Sequence, residues 1–176
     1  ESLFSRYRPP VLDYLRDRGL TDADAEDIAQ EVFSQVCRAD FLRRADRDKG
    51  KFRTLLLRVT QHILASEFRK KYSRKRGGGR PEVSIEELQS VVVAPAEENR
   101  FNAAWARNLI RLALDLLKQD SVKLGPKYHD ALVLRYLEGK TYKEIASKLD
   151  CRMSDVVNYV YLGKARLKKH LETLTG

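Results

Sequence analysis

Lys140 to Leu174 reads KTYKEIASKLDCRMSDVVNYVYLGKARLKKHLETL, and the punctuation of that stretch decides the fold. Thr141 with Glu144 three residues on forms a capping box, in which each side chain accepts a backbone N–H left unpaired at a helix start. The helix it opens is short, with Ile145, Ala146 and Leu149 inward. A connection over Asp150 to Arg152 follows, and Ser154 is expected to cap a second helix whose apolar residues are Val156, Val160 and Leu167. Ala146, Asp150 and Val156 have the spacing of a DNA-binding helix-turn-helix: a small residue where two helices cross closely, a turn residue that tolerates positive φ, and a β-branched plug between them. An ordinary helical hairpin has the same outline and stays open on this pattern alone.

If the second helix enters a major groove, Asp155, Asn158, Tyr159 and Tyr161 face outward to do the reading, with Arg152 and Ser154 at its start. Asparagine can pair bidentately with adenine, and tyrosine hydroxyls reach phosphates or base edges. Lys164, Arg166, Lys168 and Lys169 suit phosphate contact, although cations in the last turns of a helix also answer its dipole.

Working outward, the rest of the chain is also helical in pattern. Five prolines and nine glycines in 176 residues leave room for long helices, and apolar residues recur at three and four rather than two. Leu3, Phe4, Tyr7, Val11, Leu12 and Leu15 form one stripe, in which Pro9 and Pro10 mark a break or a fresh helix start and Gly19 ends the segment. TDADAEDIAQEVFSQVCRA then opens with Thr21 or Asp22 as N-cap, places four acids near the positive end of the dipole, and turns Ile28, Val32, Phe33 and Val36 inward. Asp40 to Lys51 reads as a charged loop. A long helix resumes at Phe52, with Leu55, Leu56, Val59, Ile63, Leu64, Phe68 and Tyr72 on its stripe, and runs into the basic stretch FRKKYSRKRGGGR before stopping at three glycines. Residues 77 to 98 have linker composition, with one short helical turn expected at Ser84 to Glu87. Helical pattern returns with Trp105, Leu109, Leu112, Leu116 and Leu117, breaks at Gly125-Pro126, and resumes in KYHDALVLRYLEG with Ala131, Leu132, Leu134 and Leu137 inward. The expected fold is all-α: two small helical domains, 1–76 and 99–176, joined by a flexible linker over 77–98, the second containing the helix-turn-helix.

The charge balance names a class of partner. Thirty-four Lys and Arg against 25 Asp and Glu give +9, which favours nucleic acid or another polyanion. Cys37 and Cys151 stand far apart without metal-ligand spacing, so they read as reduced thiols in small core positions of a cytoplasmic protein. No apolar run reaches the ~18–20 residues that span a bilayer. Neither a metal or cofactor site nor a nucleophile and base arrangement is visible, and the glycine triplet lacks the following Lys-Ser/Thr of a phosphate loop. The pattern therefore points to a binding protein rather than an enzyme.

DAEDIAQEVF at Asp24 to Phe33, FRTLLLRVTQHILASEFRKK at Phe52 to Lys71, a linker, and ALVLRYLEGKTYKEIASKLDC occur in an order and spacing that resembles the extracytoplasmic-function sigma factors of bacterial RNA polymerase. The resemblance covers nearly the whole chain. It implies that the acidic helix docks on the coiled coil of the polymerase largest subunit through Asp24, Glu26, Asp27, Gln30 and Glu31. Residue chemistry agrees, since Asp27, Gln30 and Glu31 face away from Ile28, Val32 and Phe33 and are available to a basic partner. The helix from Phe52 resembles the segment that reads and opens the minus-ten element, and the Asp40 to Lys51 loop corresponds to the part that captures a flipped base. His62, Arg69, Lys70, Arg74 and Lys75 are its implied DNA contacts, with Phe68 and Tyr72 in the core and the glycines as a hinge. The second domain would read the minus-thirty-five element and approach the polymerase flap. Promoter DNA and core polymerase are the implied partners, and an anti-sigma protein or other regulator is a further one open to such a chain.

The chain departs from the family pattern at several places. Leu55 stands where a tryptophan is usual, His62 where an asparagine is usual, and Asp150 at the usual turn glycine. Val157, Tyr159 and Leu162 occupy recognition-helix positions that commonly carry basic residues, which implies a different promoter sequence. A freestanding helix-turn-helix regulator, acting without polymerase, is the alternative function.

Overall fold

The computed structural model of the chain describes residues 3–38, 52–72, 93–124 and 126–175, and every regular element among them is helical. The chain divides into two compact units, Ser2–Ala106 and Arg107–Gly176. The Asp40 to Lys51 loop, the glycine triplet and the turn expected at Ser84 lie outside the described residues.

In the first unit, α1 (Leu3–Arg16), α2 (Asp22–Val36) and α3 (Phe52–Tyr72) enclose one apolar core. Helix α1 continues through Pro9 and Pro10 instead of breaking there. Each mid-helix proline removes a hydrogen bond and costs about 3 kcal/mol, so tertiary packing of Val11, Leu12, Tyr14 and Leu15 overrides local propensity. Tyr14 was not on the expected stripe; it is buried, and its hydroxyl accepts from Gln61 Nε2 at 3.0 Å. Gly19 follows at φ +79, a conformation that strains any residue with a Cβ. Thr21 then caps α2, its Oγ1 accepting from the Asp24 N–H at 3.2 Å. Ala25, Ala29, Val32 and Val36 of α2 meet Leu56, Leu57 and Val59 of α3 in the core. Thr60 is wholly buried with them, and its hydroxyl is satisfied there by donating to the Leu56 carbonyl at 2.8 Å. Among the described side chains of α3, Leu64 is the last that is buried. Phe68, expected in the core, is 43% exposed.

Helix α4 (Pro95–Leu124) starts inside the stretch whose composition reads as linker. The Ala94 carbonyl accepts from the Glu97 and Glu98 N–H groups at 2.9 and 3.2 Å, Pro95 occupies a position whose N–H is not needed, and both acids sit at the positive end of the dipole. Its first turns complete the first unit. Arg18 pairs with Glu97, Thr54 Oγ1 donates to Glu98 Oε1 at 2.7 Å, and Phe101 is buried against the edge of Tyr14 with ring centroids 6.0 Å apart. The division between units therefore falls between Ala106 and Arg107, within α4, rather than at residue 98.

In the second unit the rest of α4 is joined by α5 (Tyr128–Leu132), a π turn over Val133–Leu137, α6 (Tyr142–Lys148) and α7 (Met153–Thr175). Leu117, Tyr128, Ala131, Leu132, Leu134, Ile145, Val156 and Val160 form its core. Leu137, expected inside, is 70% exposed. The Glu138 N–H bonds to the Val133 carbonyl five residues back, and this wider turn shifts the register so that Leu134 stays in while Leu137 turns out. Gly163 lets α7 approach α5: a Cβ there would lie 3.3 Å from both Leu132 Cγ and the Tyr128 carbonyl oxygen. Cys37 is exposed at the end of α2, and Cys151 is half-buried against the second core, so only Cys151 approaches the expected packing role.

Candidate polymerase-docking groove and nucleic-acid interface

A groove of about 400 Å³ runs between α2 and α3 of the first unit. Asp24, Asp27, Ile28, Gln30, Glu31 and Ser34 line it from α2, and Ile63 and Glu67 from α3. Helical spacing explains the grouping: positions 24, 27, 28, 31 and 34 share one face, and 63 and 67 are one turn apart. Ile28 and Ile63 are buried and make an apolar floor beneath carboxylates. Four of the five residues expected to dock on a partner thus meet in one place. Glu26 does not join them; it turns to α1, where the Arg8 guanidinium donates to its carboxylate. Glu67 and Ser34 were not anticipated, and only the register between α2 and α3 brings them in.

Along α3, His62 is half-buried and Arg69 is exposed. The Lys70 and Tyr72 side chains, Arg74 and Lys75 lie outside the described residues.

The helix-turn-helix forms from the signals its sequence carries. Thr141 Oγ1 accepts from the Glu144 N–H at 3.3 Å while Glu144 accepts from the Thr141 N–H at 2.8 Å. The bond from the Thr141 N–H, and next to it one from the Thr141 hydroxyl to the same carboxylate oxygen at 2.7 Å, hold the Glu144 carboxyl below its ordinary range. Between α6 and α7 the chain turns at Asp150 with φ 48, and the Cys151 N–H returns to the Ala146 carbonyl at 3.1 Å. Val156 is fully buried with Ile145 and so acts as the expected plug.

Helix α7 begins at Met153, two residues earlier than a Ser154 cap requires, so Ser154 is not its cap. Asp155 folds back instead: its carboxylate accepts from the Arg152 N–H at 3.1 Å and from the Arg152 guanidinium at 3.2 Å. The hydrogen bond from Arg152 keeps the Asp155 carboxyl below its usual range, so it stays ionised through neutral pH. Two residues expected to contact DNA separately are therefore paired with each other. Tyr159, expected outward, packs inward, its ring edge-on to Tyr128 at 6.1 Å. Arg166 is also turned to the scaffold: it lies 5.2 Å from the Tyr128 ring centroid and pairs with Asp120 at 3.5 Å. Ser154, Asn158 and Tyr161 do face outward, and Lys164 is exposed with its ammonium 4.8 Å above the Tyr136 ring. Met153, Val157 and Leu162 share that exposed surface.

Among the described residues no group of three His, Cys, Asp or Glu side chains is placed to hold a metal, and no helix is long and apolar enough to cross a membrane.

Comparison with known proteins follows the same division. Residues 3–74 match sigma-70 region 2 and residues 122–167 match sigma-70, region 4. The chain is 31% identical over 149 residues to the ECF RNA polymerase sigma factor SigE of Mycolicibacterium smegmatis, covering 84% of this chain and 52% of SigE. It thus spans about half the length of that relative. It is 28% identical over 160 residues to the ferric citrate uptake sigma factor FecI of Escherichia coli, covering 91% of this chain and 83% of FecI. The RNA polymerase sigma factor YlaC of Bacillus subtilis is 25% identical over 175 residues, which cover 97% of this chain and 91% of YlaC.

Proposed function

We propose that this chain, which belongs to the sigma-70 family and within it to the extracytoplasmic-function sigma factors, binds core RNA polymerase, directs it to specific promoters and helps open the DNA for initiation. The role is one of binding and positioning. Asp24, Asp27, Gln30 and Glu31 meet a basic coiled coil of the largest subunit, while Glu26 braces α2 against α1 through Arg8. His62 and Arg69 on α3, with Lys70, Arg74 and Lys75 after them, contact the minus-ten region. Ser154, Asn158, Tyr161 and Lys164 on α7 face the minus-thirty-five major groove, and Arg152 is held at its rim by Asp155. An anti-sigma protein fits as a regulator of the same surfaces.

The observation that carries this reading is the carboxylate-lined groove over Ile28 and Ile63. Acidic side chains above an apolar floor suit a basic protein helix and repel DNA, so a freestanding operator-binding regulator has no use for them. Co-purification with core polymerase tests it. The wild-type chain is expected to associate, and Asp27→Arg to lose association while keeping its helical circular dichroism. A folded wild-type chain that does not associate overturns the reading.

A further inference from the structure

The outward surface of α7 is unusual for a helix that meets nucleic acid. From Met153 to Leu162 it contains no Lys or Arg. Met153, Val157 and Tyr161 repeat every four residues and are 57%, 50% and 71% exposed, forming an apolar row. Beside it runs a second row, Ser154, Asn158 and Leu162, exposed in the same sense. The cations at either end are engaged locally: Arg152 bonds to Asp155, and Lys164 sits over Tyr136.

The edges of the bases distinguish among these side chains. Guanine in the major groove is read by Arg or Lys on O6 and N7, and this stretch offers neither. Adenine is read by Asn or Gln on N6 and N7, and thymine presents a methyl group that favours an apolar neighbour. We propose that α7 selects an A·T-rich half-site, with Val157 packing on a thymine methyl and Asn158 pairing with an adenine beside it. This deepens the reading of the second unit as a promoter-binding domain and rests on it. DNA rather than a protein is the occupant because residues 107–176 carry 14 Lys and Arg against 8 Asp and Glu, and exposed Lys143 and Lys164 flank the rows. The polar Ser154 and Asn158 set into the surface suit base edges better than an apolar protein interface.

The test uses holoenzyme assembled from the full chain and core polymerase, offered a duplex pool randomised over the upstream box. The selected sequence is expected to be rich in A·T pairs. Each thymine in it is then replaced by deoxyuridine, which removes the methyl group alone. At one position wild-type binding is expected to fall about four-fold, the worth of one buried methyl, while Val157→Ala holoenzyme does not respond to that exchange. Asn158→Ala is expected to relax the adenine preference at a neighbouring position by about five-fold or more. A selected box rich in G·C, or wild-type binding indifferent to deoxyuridine at every thymine, overturns the proposal and leaves the sigma-factor reading standing. A chain that joins core polymerase but selects no upstream sequence removes the promoter-binding reading of the second unit, and this proposal with it.

Discussion

The Arg53 guanidinium lies 3.7 Å from the ring centroid of Trp105, a stacking contact that joins α3 to the first turns of α4. Tyr7 of α1 stacks near the same indole, with ring centroids 6.5 Å apart. Three helices of the first unit therefore converge on a residue that lies well beyond the region 2 match.

This makes residues 95–106 part of the first unit's fold. Trp105→Ala is expected to destabilise that unit by about 2 kcal/mol or more, because it removes both the aromatic burial and the cation–π stacking with Arg53. A fragment of residues 1–106 is expected to melt cooperatively and at a higher temperature than a fragment of 1–76. Equal melting temperatures would show that Phe101 and Trp105 contribute nothing.

The crossing of α5 and α7 depends on Gly163, where a Cβ already meets Leu132 and the Tyr128 carbonyl at 3.3 Å. Gly163→Val adds two further carbons with no space for them, and the backbone carbonyl cannot rotate away as a side chain can. Chemical denaturation of this variant is expected to show a loss of about 2–3 kcal/mol, against a gain of up to about 1 kcal/mol if helix propensity alone decided.

A hydrogen bond from His170 Nε2 to Asp120 at 2.9 Å fastens the end of α7 to α4. That bond, helped by the charges of His170 and Arg166 and opposed by burial, holds the Asp120 carboxyl below its ordinary value. A carboxylate with a depressed folded-state pKa contributes stability above its unfolded pKa of about 3.9 and loses it as pH falls through the lower folded value. Asp120→Asn is therefore expected to melt below wild type at neutral pH, with the two curves converging as pH falls through the depressed folded-state value. Glu144 and Asp155 are depressed too, but they are present in both proteins and cancel in the comparison.

The cations in the last turns of α3 and just after it give a salt test. Replacing Arg69, Arg74 and Lys75 by Gln is expected to flatten the log–log dependence of holoenzyme binding on salt by up to about 3, roughly one for each phosphate no longer neutralised. An unchanged slope would return this run to a solvated helix end.

The helix-turn-helix was legible because its determinants are local: a capping box at Thr141, a turn at Asp150 and a plug at Val156 each follow from neighbours within a few residues. The acidic face of α2 was legible for the same reason. Where the reading failed, long-range packing decided. Pro9 and Pro10 stay helical because Val11, Leu12 and Leu15 pack into a core, and α4 reaches back to Pro95 because Phe101 and Trp105 have partners on α1 and α3. Leu137 turns outward through a π turn that a period of 3.6 does not foresee. Tyr159 and Arg166 suit DNA by their chemistry, whereas the inward side of α7 claims both through Tyr128.

The most direct measurement is run-off transcription with purified chain and core polymerase on genomic DNA fragments. Transcripts of defined length that require the chain are expected, absent with core polymerase alone and abolished by Asp27→Arg. Transcription that is the same with and without the folded chain, on every fragment, would contradict it.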